Sequence, residues 1–361
     1  MSAAALAAVL RHPALNRSLD ASLVEAAREH GVAALLYAAL HDGGSLNTQP
    51  AAVREQLMRV VRESTLVEGD AHRAALRAVD ALARAGVRPL VFKGAALAYT
   101  LYSEPWMRPR ADTDLLVRRG DVDTVSRVFE SLGYALAVRT SGELVTNQVT
   151  YVSSGSIGRV FDVHWKIGDP QVFADLFSYD ELEQDAIALP ALGPGARMFC
   201  DVHALLVACA HRVAHHYDRD ILIFLADIDG LARRLDEAAW DRVATLAESK
   251  QIRAVTARGL DLAARYFDTP VPATVRNRLS VDIGAEPTAR YLSPRLRKVD
   301  ILLSDFTRLG WRARLKLIRE HLLPPPSFVL RSYGRTNRLL VPPLYLHRII
   351  RGLSAWFRPI R

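Results

Sequence analysis

The chain has 361 residues, 50% hydrophobic and 24% charged, with a net charge of +8. That length allows two domains, and no apolar run reaches the roughly 18 residues of a membrane-spanning helix. The charge is uneven. Phe306 to Arg361 carries twelve Arg or Lys against one acid, Glu320, a balance of +11, while the rest of the chain stands at −3. The high isoelectric point therefore belongs to the last sixth of the sequence and does not describe its body.

Residues 1–85 read as an N-terminal helical segment. The alanine-rich start has no basic residue ahead of it, so a helix is expected there rather than a secretory signal. Apolar residues recur at helical spacing over Leu19–Ala27 and Val53–Val61, separated by the polar loop His41–Pro50. A third helix is expected from Val67 to Leu82, stopped by Gly86. From Val87 the texture changes. Arg88–Phe92 reads as a short buried strand, Lys93-Gly94 as a turn, Ala95–Tyr102 as a small-residue helix and Thr113–Val117 as a second strand. A helix over Asp121–Leu132 ends at Gly133, and strand-like segments follow at Tyr134–Arg139, Val145–Ser153 and Arg159–Lys166. This makes residues 86–170 a small α/β unit with a mixed sheet. Residues 195–323 return to helical spacing, with helices expected at Asp201–Tyr217, Ile221–Leu235, Glu237–Ser249, Ile252–Phe267 and Leu309–His321. Pro324-Pro-Pro326 then opens a basic amphipathic tail, 324–361. The fold class expected is α+β. Cys200 and Cys209 are nine residues apart in one helical stretch, too far for a disulfide, which points to free thiols and a cytoplasmic protein.

The chemistry concentrates in the middle unit. Asp112 and Asp114 enter an apolar run at i and i+2, a spacing that puts both carboxylates on one strand face. Two like charges side by side are costly to desolvate without a cation, and hard oxygen ligands favour Mg²⁺. Asp162 lies inside the otherwise apolar run Val160–Val163, where an unpaired carboxylate is penalised. Gly94 allows close backbone approach at the start of a helix whose free N–H groups suit phosphate, and Lys93 adds a point charge.

Strand, Lys-Gly, helix, Asp-x-Asp and a later strand Asp is the order of a polymerase-β-type nucleotidyltransferase. Residues 85–170 resemble the bacterial "uncharacterised nucleotidyltransferase" family in Lys93-Gly94, Arg108, Asp112-Thr-Asp114-Leu-Leu-Val117 and Asp162-Val-His164. His211, Leu225-Ala-Asp-Ile228 and Tyr345-Leu-His-Arg348 extend the likeness toward the C-terminus. The resemblance implies the nucleotidyltransferase fold and Mg²⁺-dependent transfer of NMP from an NTP to an acceptor it does not name. Two metal ions about 3.5–4 Å apart would align the triphosphate with the attacking group. Asp112, Asp114 and Asp162 are then metal ligands and catalytic residues, and Lys93, Gly94 and Arg108 hold the phosphates. The turn Lys93-Gly94-Ala95 departs from the wider superfamily, whose turn is Gly-Gly or Gly-Ser, and it lacks the hydroxyl that a serine there brings to the triphosphate.

Other residues have plainer readings. His164 shares a strand face with Asp162. His211 and His215 lie at i and i+4 on a helix, without the Glu of a metalloprotease, and are read as core or acceptor-pocket residues. Asp227 is read as a cap or ion-pair partner. The tail suits a packed helix, an anionic membrane surface, or a nucleic acid or other acidic substrate. Two rival functions remain: a toxin-like transferase acting on RNA, and an inactive membrane-associated binding protein of the same fold.

Overall fold

The computed structural model describes residues 3–13, 18–137, 144–154 and 158–360, except for the side chains of 353–355. Val138 and Arg139 of the expected strand, and residues 1–2, 14–17 and 361 of the expected terminal segments, lie outside the described residues. Seven strands form one mixed sheet: β1 (Leu90–Phe92), β2 (Thr113–Leu116), β3 (Tyr134–Leu136), β4 (Gln148–Ser153), β5 (Val160–His164), β6 (Ile187–Ala188) and β7 (Arg197–Met198). Their spatial order is β3-β4-β5-β2-β1-β7-β6. The central pair β2–β5 is parallel, as is β1–β7, while β1–β2, β3–β4, β4–β5 and β6–β7 are antiparallel.

The alternation of side chains along these strands sorts the core into two layers. Val91, Leu115, Val117, Phe161 and Val163 point to one face, with Phe129, Tyr134 and Tyr151 stacked among them. Leu90, Phe92 and Leu116 point to the other. Asp114, Asp162 and His164 share the parity of that second face, so the strand period alone turns all three toward the same layer.

Four helices precede the sheet: α1 (Ala3–Arg11), α2 (Ala21–Glu29), α3 (Ala33–Asp42) and α4 (Ala51–Arg84). The 34-residue α4 is continuous where two separate helices were expected, running straight through Gly69. Its last turns bury Ala74, Ala75, Ala78, Val79 and Leu82 against the first face of the sheet, beside α6 (Val122–Ser131), while α5 (Lys93–Leu97) follows β1 directly. Beyond β5 come α7 (Gln171–Ala174) and α8 (Tyr179–Gln184), then the bundle α9 (Asp201–Ala214), α10 (Leu222–Ala232), α11 (Glu237–Ser249), α12 (Arg253–Phe267) and α13 (Ala273–Ser280). The bundle packs on the second face of the sheet, and its core is continuous with Leu6, Leu23 and Leu36 of the first three helices. The N-terminal helices thus share their burial with helices more than 150 positions later. Last come α14 (Lys298–Arg308), α15 (Trp311–Leu322), α16 (Pro326–Ser332) and α17 (Val341–Phe357). The two-residue strands β6 and β7 carry no periodicity, which is why pattern reading passed over them. Both cysteines are free, Cys209 buried and Cys200 half-buried.

Candidate metal and nucleotide site

Between the second face of the sheet and the bundle lies a cavity of about 540 Å³, within the usual range of small-molecule sites. Its floor is built by β2 and β5. Their parallel register sets Asp114 directly opposite Asp162 and Leu116 opposite His164. The His164 Nε2 lies 2.8 Å from Asp114 Oδ1, and the Thr150 hydroxyl, from the residue of β4 paired with Asp162, donates to Asp162 Oδ1 at 2.6 Å. Lys93 Nζ donates to the same Asp114 Oδ1 at 2.8 Å, and both side chains are nearly buried. Burial works against the charge on Asp114, but Lys93 and His164 outweigh it and hold the carboxyl well below the usual range. Burial and the nearby Lys93 push His164 down, leaving it neutral. An Nε2–H then donates to Asp114, and the buried Nδ1 has no hydrogen-bond partner among the described residues.

Asp112 immediately precedes β2 and lines the same cavity. Burial, then the charges of Asp114 and Asp162, raise its carboxyl to about 6. This is the mutual repulsion expected of three carboxylates gathered in one place. Among the described residues, ligand atoms of Asp114, Asp162 and His164 lie within 4.8 Å of one another, and Asp112 is not in that group. The donor set fits a hard divalent ion. Two carboxylates face each other across adjacent strands with a third beside them, and His164 already spends its Nε2 on Asp114, the arrangement of a residue that orients a ligand.

In the turn after β1 the left-handed backbone conformation falls on Lys93, with φ 53°. A non-glycine residue held there stores strain of the kind found at functional positions, and here it aims the lysine at Asp114. Gly94 is needed for a different reason. A Cβ at this position would stand 3.1 Å from Arg108 Nη1 and 3.3 Å from its Cζ. The Arg108 guanidinium lies against the glycine because Asp227 of α10 grips it. Nε donates to both carboxylate oxygens at 3.0 Å and Nη2 to Oδ2 at 2.7 Å, with Tyr102 adding a hydroxyl donor to Asp227 Oδ1 at 2.7 Å. Arg108 lines the cavity, as expected of a phosphate ligand, but its charge is shared with a buried carboxylate. Asp227, read as a cap or pair partner, is that partner.

The opposite wall carries His211 and His215 of α9 and its C-terminus, His216, and Phe224 of α10. The rings of His211 and His215 stack at 4.7 Å, His216 Nε2 lies 3.3 Å from His211 Nε2, and His216 lies over Phe224 at 4.2 Å. Burial and then Lys93 push all three down, His215 to about 3 and His216 to about 4, so the wall is uncharged at neutral pH. Sequence reading missed Thr150, His216 and Phe224. Only the β4–β5 register brings Thr150 to Asp162, and nothing local marks it.

A comparison with curated proteins finds no match. The model of the family described as "Uncharacterised nucleotidyltransferase" matches residues 19–268, a span that takes in α2 to α4, the whole sheet and α9 to α12. The chain belongs to the uncharacterised nucleotidyltransferase family.

Proposed function

We propose that the protein transfers a nucleoside monophosphate from an NTP to an acceptor nucleophile, with Mg²⁺ as cofactor. The observation that carries this reading is the pairing of Asp114 with Asp162 on adjacent parallel strands at the floor of the cavity, with Asp112 beside them. Bound divalent cations would neutralise the triphosphate and align it for in-line attack. Asp112, Asp114 and Asp162 would hold them, and His164 keeps Asp114 oriented. Asp162 would also position the acceptor and take its proton. The acceptor oxygen or nitrogen then bonds to the α-phosphorus as the bond to the bridging oxygen breaks, and pyrophosphate leaves with that electron pair. Lys93 and Arg108 would meet the phosphate charge. The five-residue α5 offers backbone N–H groups but little dipole, so the two cationic side chains supply most of the attraction. The uncharged wall of His211, His215, His216 and Phe224 suits the base or the acceptor, which the reading leaves as a small molecule, peptide or protein. NTP supply and the two free thiols accord with a cytoplasmic setting.

The test is thermal unfolding with Mg²⁺ and each of the four NTPs in turn, on the wild type and on Asp112→Ala/Asp114→Ala. At ligand near 100 times its Kd a single site stabilises by about 2.7 kcal/mol, a readily measured rise that the double variant should lose. A wild type unmoved by all four NTPs would sink the proposal.

A further inference from the structure

The last four helices present a surface that the transfer reaction does not use. On α15 the side chains of Trp311 (66% exposed), Leu315 (61%), Ile318 and Leu322 are all solvent-facing. Their spacing of i, i+4, i+7 and i+11 places them on one stripe. The opposite side of the helix is buried, with Leu317 fully covered. It also turns inward the one acid of the segment: Glu320 is buried, accepting from Leu144 N at 2.9 Å and Val145 N at 3.1 Å. This inverts the usual surface helix, whose apolar stripe faces the core. On α17 the pattern recurs, with Leu346 and Ile350 each 60% exposed and Phe357 on the same line. The two helices are tied together, since Arg348 Nη1 donates to His321 O at 2.6 Å and the His321 and Trp356 rings lie 5.7 Å apart.

Around these stripes the charge is of one sign. Arg312, Arg319, Arg335, Arg338 and Arg351 are exposed, and Arg312 lies over the Trp311 ring at 5.1 Å. Glu320, the one acid of residues 306–361, is turned inward, so among the described residues no acid of this segment meets solvent beside these arginines. Among the described residues no helix is long and apolar enough to cross a membrane. A stripe of Trp and Leu bordered by arginines is the pattern of a helix lying in the plane of a membrane interface, and the negative charge of an anionic bilayer complements the border. A second copy of the chain would bring +11 against +11. A nucleic acid would engage the arginines through its phosphates and leave the apolar stripe in water.

We propose that α15 and α17 form a docking surface for an anionic lipid bilayer, with the apolar stripes entering the acyl boundary and the arginines meeting lipid phosphates. Glu320 fastens α15 to the segment ahead of β4, and Asp305 of α14, which accepts from Gln171 N at 2.9 Å, fastens the preceding helix to the segment after β5.

The experiment is co-sedimentation of the full chain with vesicles of phosphatidylcholine alone and of phosphatidylcholine mixed with phosphatidylglycerol. Binding is expected to the mixed vesicles only and to weaken as salt rises. Arg312→Gln/Arg319→Gln/Arg351→Gln should weaken it on the order of 100-fold. Trp311→Ser/Leu315→Ser should abolish it with the thermal midpoint unchanged, which separates lost docking from lost folding. The proposal is overturned if the wild type stays in the supernatant with the mixed vesicles, or if both variants, folded, pellet like the wild type. Two further results overturn it: the triple arginine variant losing retention of RNA while keeping vesicle binding, or a dimer by light scattering that the Trp311→Ser/Leu315→Ser variant dissolves.

Discussion

The buried pair Arg108–Asp227 offers the sharpest test of how the cavity is held. The two side chains are 7% and 4% exposed and are joined by three hydrogen bonds across 119 positions of sequence, with Tyr102 satisfying the same carboxylate. Asp227→Ala leaves a guanidinium buried without its counter-charge and a tyrosine hydroxyl without its acceptor. Removing one partner of a buried pair costs about 3–5 kcal/mol, and Arg108→Ala should cost a similar amount by stranding the carboxylate. Replacing both with apolar residues of similar bulk, Arg108→Met/Asp227→Leu, strands no charge; it frees the Pro109 carbonyl, which either Arg108 variant loses alike, and orphans the Tyr102 hydroxyl, about 1–3 kcal/mol. The single losses should therefore fail to add by more than about 3 kcal/mol, read by urea denaturation of the four proteins. Additive losses, or singles costing under about 1 kcal/mol, would refute the reasoning. The double variant also isolates the second role of Arg108: folded, but with its guanidinium gone, it should show a weaker NTP-dependent thermal shift than the wild type.

Gly94→Ala should cost about 1–3 kcal/mol, because its Cβ would press on a guanidinium that Asp227 keeps from retreating; an unchanged denaturation midpoint would mean that Arg108 is free to move. Burial raises the Asp305 carboxyl from 3.8 to about 7, with Asp169 adding to the rise and Gln171 N and Arg308 opposing it. Well below 3.8 the group is protonated in both folded and unfolded chains; as pH rises from there toward 7 the unfolded chain ionises first, so this contribution to stability is lost by up to ~4 kcal/mol. Asp305→Asn should flatten the fall in stability between pH 4 and 7 in denaturant titrations at several pH values, and an identical slope in the variant would rule the carboxyl out as its source.

Much of the site was legible before the fold. The alternation of side chains along a strand sets Asp114 and Leu116 on one face and Leu115 on the other, whatever the neighbours turn out to be. Hence three acids and Lys93-Gly94 pointed to one chemistry from local pattern alone, and all of these residues line the one cavity. The reading faltered where a residue's role depends on something distant. Gly94 was read as letting the backbone approach a phosphate, and its small size also makes room for a guanidinium that another helix holds in place. The bond from Lys93 to Asp114, 21 positions away, was likewise out of reach of local pattern.

The sequence by itself determined which residues carry charge, which face of each strand they occupy, and that the basic excess lies in the last 56 residues. These follow from covalent geometry and composition, which act over a few residues. Only the tertiary structure decided that Asp114 meets Asp162, that Arg108 is shared with Asp227, that three neutral histidines close the cavity, and that Glu320 turns inward and leaves a purely basic, apolar-striped surface. Each of these depends on strand register or helix packing between segments far apart in the chain, and no local pattern encodes such a distance.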